Sequence, residues 1–222
     1  MRSAWTISSA PRKDHPTAFS ITIREVEEGR LTPKLLQLAR AIVVNDIDAR
    51  ALDIVLSLRG IGGSFTLPPP SPTDTRRLLL IAGGIGITPA LSFLQQLSQE
   101  VAHPADVKIW LACKSAEESI FLGMVSEALG PEGASAQLKV SVRLFVSDAA
   151  GEAAPDSFTL PIQRNARMAI SSLEAQREEL TTVVEGRKVF LCGPPAFETA
   201  AVGLLDWLGG DVSGVTRESF EF

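Results

Sequence analysis

The stretch LLLIAGGIGITP, Leu78–Pro89, opens as an apolar run suited to a strand buried on both faces and then breaks into glycines. Helical spacing follows at once. Leu91, Leu94 and Leu97 fall on one face of a helix predicted over Pro89–Val101. Strand, glycine turn and helix start, in that order, bring backbone N–H groups and a positive helix end to one point, where a nucleotide phosphate can sit. Gly83, Gly84 and Gly86 let the backbone turn sharply and a ligand come close. Thr88 is read as the helix cap and as a hydroxyl for phosphate. Pro89 is read as the first helical residue, where its missing N–H costs nothing. The same residues without a ligand make a tight strand-to-helix turn. A bound dinucleotide is the first expectation.

Downstream, strands and helices alternate. Strands are predicted over Val107–Ala112, Leu138–Val146 and Lys188–Cys192. A helix opens at Ser115 with Glu118 at capping-box spacing, and further helices cover Leu173–Val184 and Pro195–Leu208. Ala149–Asp156 reads as loop and Gly214–Phe220 as a last extended segment. Alternating β and α implies a parallel sheet covered on both faces.

Upstream the character changes. Trp5–Ser9, Ala18–Val26 and Leu52–Leu58 alternate as short strands, and Gly60–Leu67 turns into another. Leu31–Ala41 has helical spacing, with Thr32 as cap and Pro33 at the first helical position. The proline-rich PPPSPTDT, Pro68–Thr75, makes a stiff connector and marks a boundary. Residues 1–72 thus form a β-rich unit and residues 73–222 an α/β unit.

Composition narrows the classes. The 222 residues are 45% hydrophobic and 21% charged, as in a globular domain. No apolar run reaches the length of a membrane span, and the first residues lack a leader's apolar core. A net charge of −5 without a basic cluster argues against nucleic acid. Cys113 and Cys192 lie far apart in apolar settings, which suits a reducing, cytoplasmic compartment. With His15 and His103 they form no metal-ligand set, so no metal is expected.

Four other stretches carry chemistry. Cys192-Gly193-Pro194-Pro195 repeats the strand-end turn and sets Cys192 at the carboxyl end of a central strand, or simply buries it as a small apolar residue. Gly60–Leu67 (GIGGSFTL) offers Ser64 to a phosphate, or is a hairpin turn. Trp5-Thr6-Ile7-Ser8-Ser9 joins a flat ring to hydroxyls, or is a plain strand. Glu218–Phe222 alternates acids with aromatics, or is a strand edge.

The order of these motifs, with GRLT at Gly29–Thr32, resembles that of the ferredoxin–NADP reductase-like flavoprotein superfamily. GGIGITP and CGPP are the specific members of the set. The resemblance covers essentially the whole chain. It implies an antiparallel FAD-binding β-barrel (FMN in some members) followed by an NAD(P)-binding α/β domain. The implied function is hydride transfer between NAD(P)H and flavin, with electrons passed on to a small-molecule or protein acceptor.

By that resemblance Trp5 stacks on the isoalloxazine, and Thr6, with the neighbouring Ser8, supplies hydroxyls near it. Thr32, Gly62, Gly63 and Ser64 contact the FAD pyrophosphate. Gly83, Gly84, Gly86, Thr88 and Pro89 hold the NAD(P) pyrophosphate. Cys192, Gly193 and Pro194 stand beside the nicotinamide, and Glu218 and Phe220 close the flavin site. Thr6, Cys192 and Glu218 are the implied catalytic set. Because the cofactors carry the chemistry, the protein's task is to hold two flat rings in contact and keep water out.

The chain departs from the pattern in two places. The arginine expected two residues before the stacking aromatic is Ser3, and Arg2 stands one position early, where a shifted register or a bulge would deliver its guanidinium to the FAD phosphate. The flavin motif lies almost at the first residue, so the barrel is expected to be partial, N-terminally truncated or completed by a partner chain. Asp148 after a strand favours NADH slightly by repelling a 2′-phosphate, while Lys114, Arg164 and Arg167 argue for NADPH. Two alternatives stay open: a non-catalytic nucleotide-binding or interaction remnant without stable FAD, and a flavin-free dehydrogenase. Against the latter, GIGGSFTL would have no role and no proton-relay set is visible.

Overall fold

A computed structural model describes residues 5–11, 17–26, 28–48, 52, 62–63, 65–71, 74–100, 102–114, 117–130, 137–147, 161–165 and 168–219. Its centre is β1 (Arg76–Gly83), whose side chains alternate between two cores. Leu78, Leu80 and Ala82 pack against Leu91, Leu94 and Leu97 of α2 (Thr88–Gln99) and Leu122 of α3 (Glu118–Leu129). Leu79 and Ile81 pack on the other face against Leu180 of α5 (Arg177–Val184) and Leu204 of α6 (Pro195–Trp207). A fully buried leucine contributes about 1.5–3 kcal/mol relative to exposure. A strand that places leucines on both faces is therefore held at the middle of the sheet.

The remaining strands are β2 (Ala105–Cys113), β3 (Leu138–Val146), β4 (Ile162–Asn165), β5 (Lys188–Gly193) and β6 (Thr216–Ser219). The sheet order is β4-β3-β2-β1-β5-β6, and every neighbouring pair is parallel. The chain walks outward from β1 to β4, then crosses back to lay β5 on the other side of β1. That reversal opens a crevice at the carboxyl ends of β1 and β5, the usual ligand position in such sheets.

The opposite edge of the sheet is clamped by buried arginines. Arg76 pairs with Glu100 just after α2, and Arg187 reaches Asp106 of β2 at 2.5 Å while also donating to the Asp106 carbonyl. Burial pushes both carboxyls up. Hydrogen bonds from Gln96 and Arg76 on Glu100, and from Arg187 on Asp106, with the arginine charges, outweigh it and hold both below the usual carboxylate range.

Several boundaries differ from expectation. The strands expected over Trp5–Ser9 and Ala18–Val26 meet at one antiparallel bridge, Ile7 with Ile21. The Leu52–Leu58 strand lies outside the described residues apart from Leu52, as do Ser115 and the Ala149–Asp156 loop. Helix α1 (Thr32–Val44) is capped at Leu31, not Thr32. The Thr32 hydroxyl instead accepts from the Val26 N–H at 3.0 Å and donates to the Val26 carbonyl at 3.4 Å. Helix α3 starts at Glu118 with Glu117 in the cap position, while Ser115, the expected cap, lies outside the described residues. The single helix expected over Leu173–Val184 is α4 (Ile170–Leu173), a 3-10 turn (Glu174–Gln176) and α5. Strand β4, four residues long, was not foreseen because so short a run carries too little periodicity.

Candidate functional site

At the end of β1 the chain enters a 3-10 turn, Gly84–Ile87, which runs straight into α2. This moves the helix start. Thr88 is already helical, 1% exposed, and donates its N–H to the Ile85 carbonyl. It is not the cap, and Pro89 is the second helical residue rather than the first. Because the 3-10 turn supplies carbonyls to α2, the leading amides without helical partners fall at Gly84 and Ile85.

Two glycines in the turn answer to specific constraints. Gly84 has φ +55°, in the left-handed region. A Cβ on Gly86 would lie 2.3 Å from the Cys192 carbonyl oxygen and 3.1 Å from Gly193 Cα. The turn after β1 therefore touches the end of β5 backbone to backbone. The Phe197 ring, in the first turn of α6, lies over both Gly83 and Gly193 and ties the two strand ends together.

Cys192 is 2% exposed and stands in register beside Glu218 of β6. Burial, then the charges of Glu218 and Glu198, push its thiol far up, so it is neutral and not a nucleophile at ordinary pH. The Thr6 hydroxyl donates to Glu218 Oε1 at 3.3 Å. Thr6, Cys192 and Glu218, expected together from the sequence, are thus brought together. A small cavity beside Cys192, lined also by Gly86, Pro89 and the rings of Phe65, Phe93 and Phe190, holds about 10 Å³, the space of roughly one water. Those rings meet edge to face, with Phe65 centred 5.3 Å from Phe190 and Phe93 centred 5.0 Å from it.

The other expected residues are placed less tellingly. Trp5, one residue before Thr6, is partly exposed. The Ser8 hydroxyl is buried, donating to the Ser20 carbonyl at 3.2 Å and accepting from Thr22 at 2.9 Å. Gly62 and Gly63 are exposed, and Pro194 caps α6. Arg2, Ser3, Ser64, Asp148, Arg167 and Phe220 lie outside the described residues.

Two residues at the crevice escaped the sequence reading. Arg24 Nη1 lies 3.5 Å from where a Cβ on Gly84 would be, and Arg24 Nη2 pairs with Glu117 Oε1 at 2.9 Å. In the sequence Arg24 is only a polar position in an alternating run, and Glu117 only an acid near a helix start. Among the described residues there is no metal-ligand cluster and no helix long and apolar enough to cross a membrane.

Comparison with known proteins agrees with this geometry. The family model for the oxidoreductase NAD-binding domain matches residues 80–203, from β1 into α6. The human oxidoreductase NAD-binding domain-containing protein 1 is 26% identical over 158 residues, covering 65% of this chain and 45% of that protein. The protein of the same name from Pongo abelii is 33% identical over 79 residues, covering 32% of this chain and 25% of its own length. The chain thus spans less than half the length of these relatives.

Among solved structures, the ferredoxin–NADP+ reductase of Plasmodium falciparum superposes with a TM-score of 0.57 at 16% identity, over 97% of this chain and 76% of that one. An Amycolatopsis cytochrome P450 reductase gives 0.57 at 20% identity, over 97% and 55%. These two likenesses concern the fold. The match over β1–α6 fixes the assignment: the chain belongs to the oxidoreductase NAD-binding domain family.

Proposed function

We propose that this chain is an oxidoreductase module that binds NAD(P)H in the β1–β5 crevice and passes a hydride to FAD, with electrons going on to a separate small-molecule or protein acceptor. The observation that carries the reading is the meeting of the Gly84–Ile87 turn, Cys192 and the Thr6–Glu218 pair at one sheet end. The amides of Gly84 and Ile85 and the Arg24 guanidinium hold the pyrophosphate. Cys192, small and neutral, lets the nicotinamide ring approach closely. Glu218 accepts the Thr6 proton and orients that hydroxyl toward the ring edge. Phe65, Phe93 and Phe190 exclude water behind the ring.

The residues fit the two cofactors unequally. The nucleotide half is built by the family's own domain. For the flavin, Thr6, Cys192 and Glu218 suit the ring edge; when bound, FAD supplies the electron acceptance that no side chain here offers. NADH is favoured on the charge of Asp148 and a cytoplasmic setting on the two cysteines, far apart in apolar settings. A partner chain that completes the β unit belongs to the same proposal.

One observation favours a second reading, a nucleotide-binding module without stable FAD. The hydroxyls of Ser8 and Thr32, both expected at the flavin, are engaged with Ser20, Thr22 and Val26. Spectroscopy separates the two. A purified protein that takes up FAD and whose visible band bleaches on anaerobic NADH addition supports the first. A protein that binds NADH but never retains FAD supports the second.

A further inference from the structure

We infer that Glu117 is a positioning residue for nucleotide binding: its carboxylate fixes the Arg24 guanidinium above the glycine turn. The inference rests on the proposal that a pyrophosphate binds at Gly84–Gly86. The two oxygens of Glu117 do two jobs. Oε2 accepts from the Lys114 N–H at 3.4 Å, anchoring the carboxylate to the chain just past the end of β2. Oε1 takes Arg24 Nη2 at 2.9 Å. The other terminal nitrogen, Nη1, is the one beside Gly84. The donor used by Glu117 and the donor facing the turn are therefore different. An anion at the turn can take Nη1 without displacing Glu117.

That division of donors distinguishes positioning from competition. A carboxylate that competed with phosphate would occupy the same nitrogen. Arg24 comes from the N-terminal segment, and its side chain is 48% exposed, so unrestrained it would sample many rotamers. Glu117, itself 21% exposed and caught between the β2 end and α3, is the more fixed partner. It spares the ligand the ordering of a long side chain, which is how preorganisation gains affinity.

The test is a set of four variants, R24A, E117A, E117Q and the double R24A/E117A, titrated with ADP-ribose by calorimetry at low and physiological salt. A charge-assisted contact at a half-exposed site predicts a loss of about tenfold for R24A. E117A should lose several-fold, the double variant no more than R24A alone, and E117Q, whose one amide oxygen can accept from Nη2 but not also from the Lys114 N–H, should fall between E117A and the parent. Because Glu117 also caps α3, melting temperatures accompany each titration, and the E117Q rescue distinguishes positioning from damage to the helix. E117A binding as tightly as the parent or more tightly, or its loss adding to that of R24A, overturns the inference while leaving the nucleotide site intact. A parent protein that binds no ADP-ribose overturns both the site and the inference.

Discussion

At the scale of the residue, Gly86 and Cys192 decide the site. A methyl group on Gly86 meets backbone, not a side chain that can swing away. Gly86→Ala should therefore cost about 3 kcal/mol, the upper range for overpacking. Gly84→Ala, whose Cβ finds only Arg24 at 3.5 Å, should cost about 1–2 kcal/mol for the left-handed backbone. Urea titrations of the two variants check the order, and Gly84→Ala proving the more damaging would show that the two strand ends do not meet as described. Cys192 is a spacer in this account. Cys192→Ala should leave the rate of flavin reduction by NADH within about threefold, since a neutral thiol contributes no nucleophile. Cys192→Trp should slow that rate at least tenfold at unchanged flavin content. Stopped-flow traces that are equal for parent and Trp variant would remove Cys192 from the nicotinamide's path.

At the scale of the element, the two ends of the sheet have separate tasks. The carboxyl ends hold the site, and the opposite edge holds the fold through Arg76–Glu100 and Arg187–Asp106. Both carboxyls sit below their ordinary values when folded, so the unfolded chain binds protons more readily. The stability they contribute is present above the unfolded values, about 4.3 for Glu and 3.9 for Asp, and is lost as pH falls through the depressed folded values. Denaturation midpoints should hold from pH 6 to 8 and fall below about pH 4. Glu100→Gln and Asp106→Asn should start lower at neutral pH and fall less steeply in acid. A variant that tracked the parent's acid slope would place the pH dependence elsewhere.

The elements also show what was legible in the sequence. Leu138–Val146 was read to the residue from its alternation of apolar and polar positions, and β1, β2, β5 and α6 to within a few from their apolar runs and the glycines or prolines beside them. The helix after β1 was seen, but its first turn was not. A 3-10 turn differs from a capped α-helix in which carbonyl each amide chooses, and the side-chain pattern is the same. The caps failed for a related reason: Thr32 bonds the Val26 backbone, a contact across a loop that local spacing does not encode. Arg24 beside Gly84, paired with Glu117, was illegible because their meeting exists only once the N-terminal segment lies across the strand ends.

At the scale of the whole molecule, a six-stranded parallel sheet with its helices is met at its carboxyl end by an N-terminal segment. That segment is tied by Thr6 to Glu218, by the Ala10 N–H to Gln95 of α2 at 2.9 Å, and by Arg24 to Glu117. The Thr6 and Arg24 contacts bring residues of that segment to the carboxyl end of the sheet. The central claim is that a dinucleotide lies there with its pyrophosphate on the glycine turn, at the amides of Gly84 and Ile85. The most direct measurement is the amide NMR spectrum of labelled protein titrated with ADP-ribose. The account predicts the largest, saturable shifts at Gly84, Ile85 and Gly86, with smaller ones at Gly193 and the Arg24 guanidinium. Saturable binding that leaves the Gly84–Gly86 amides unmoved would contradict it.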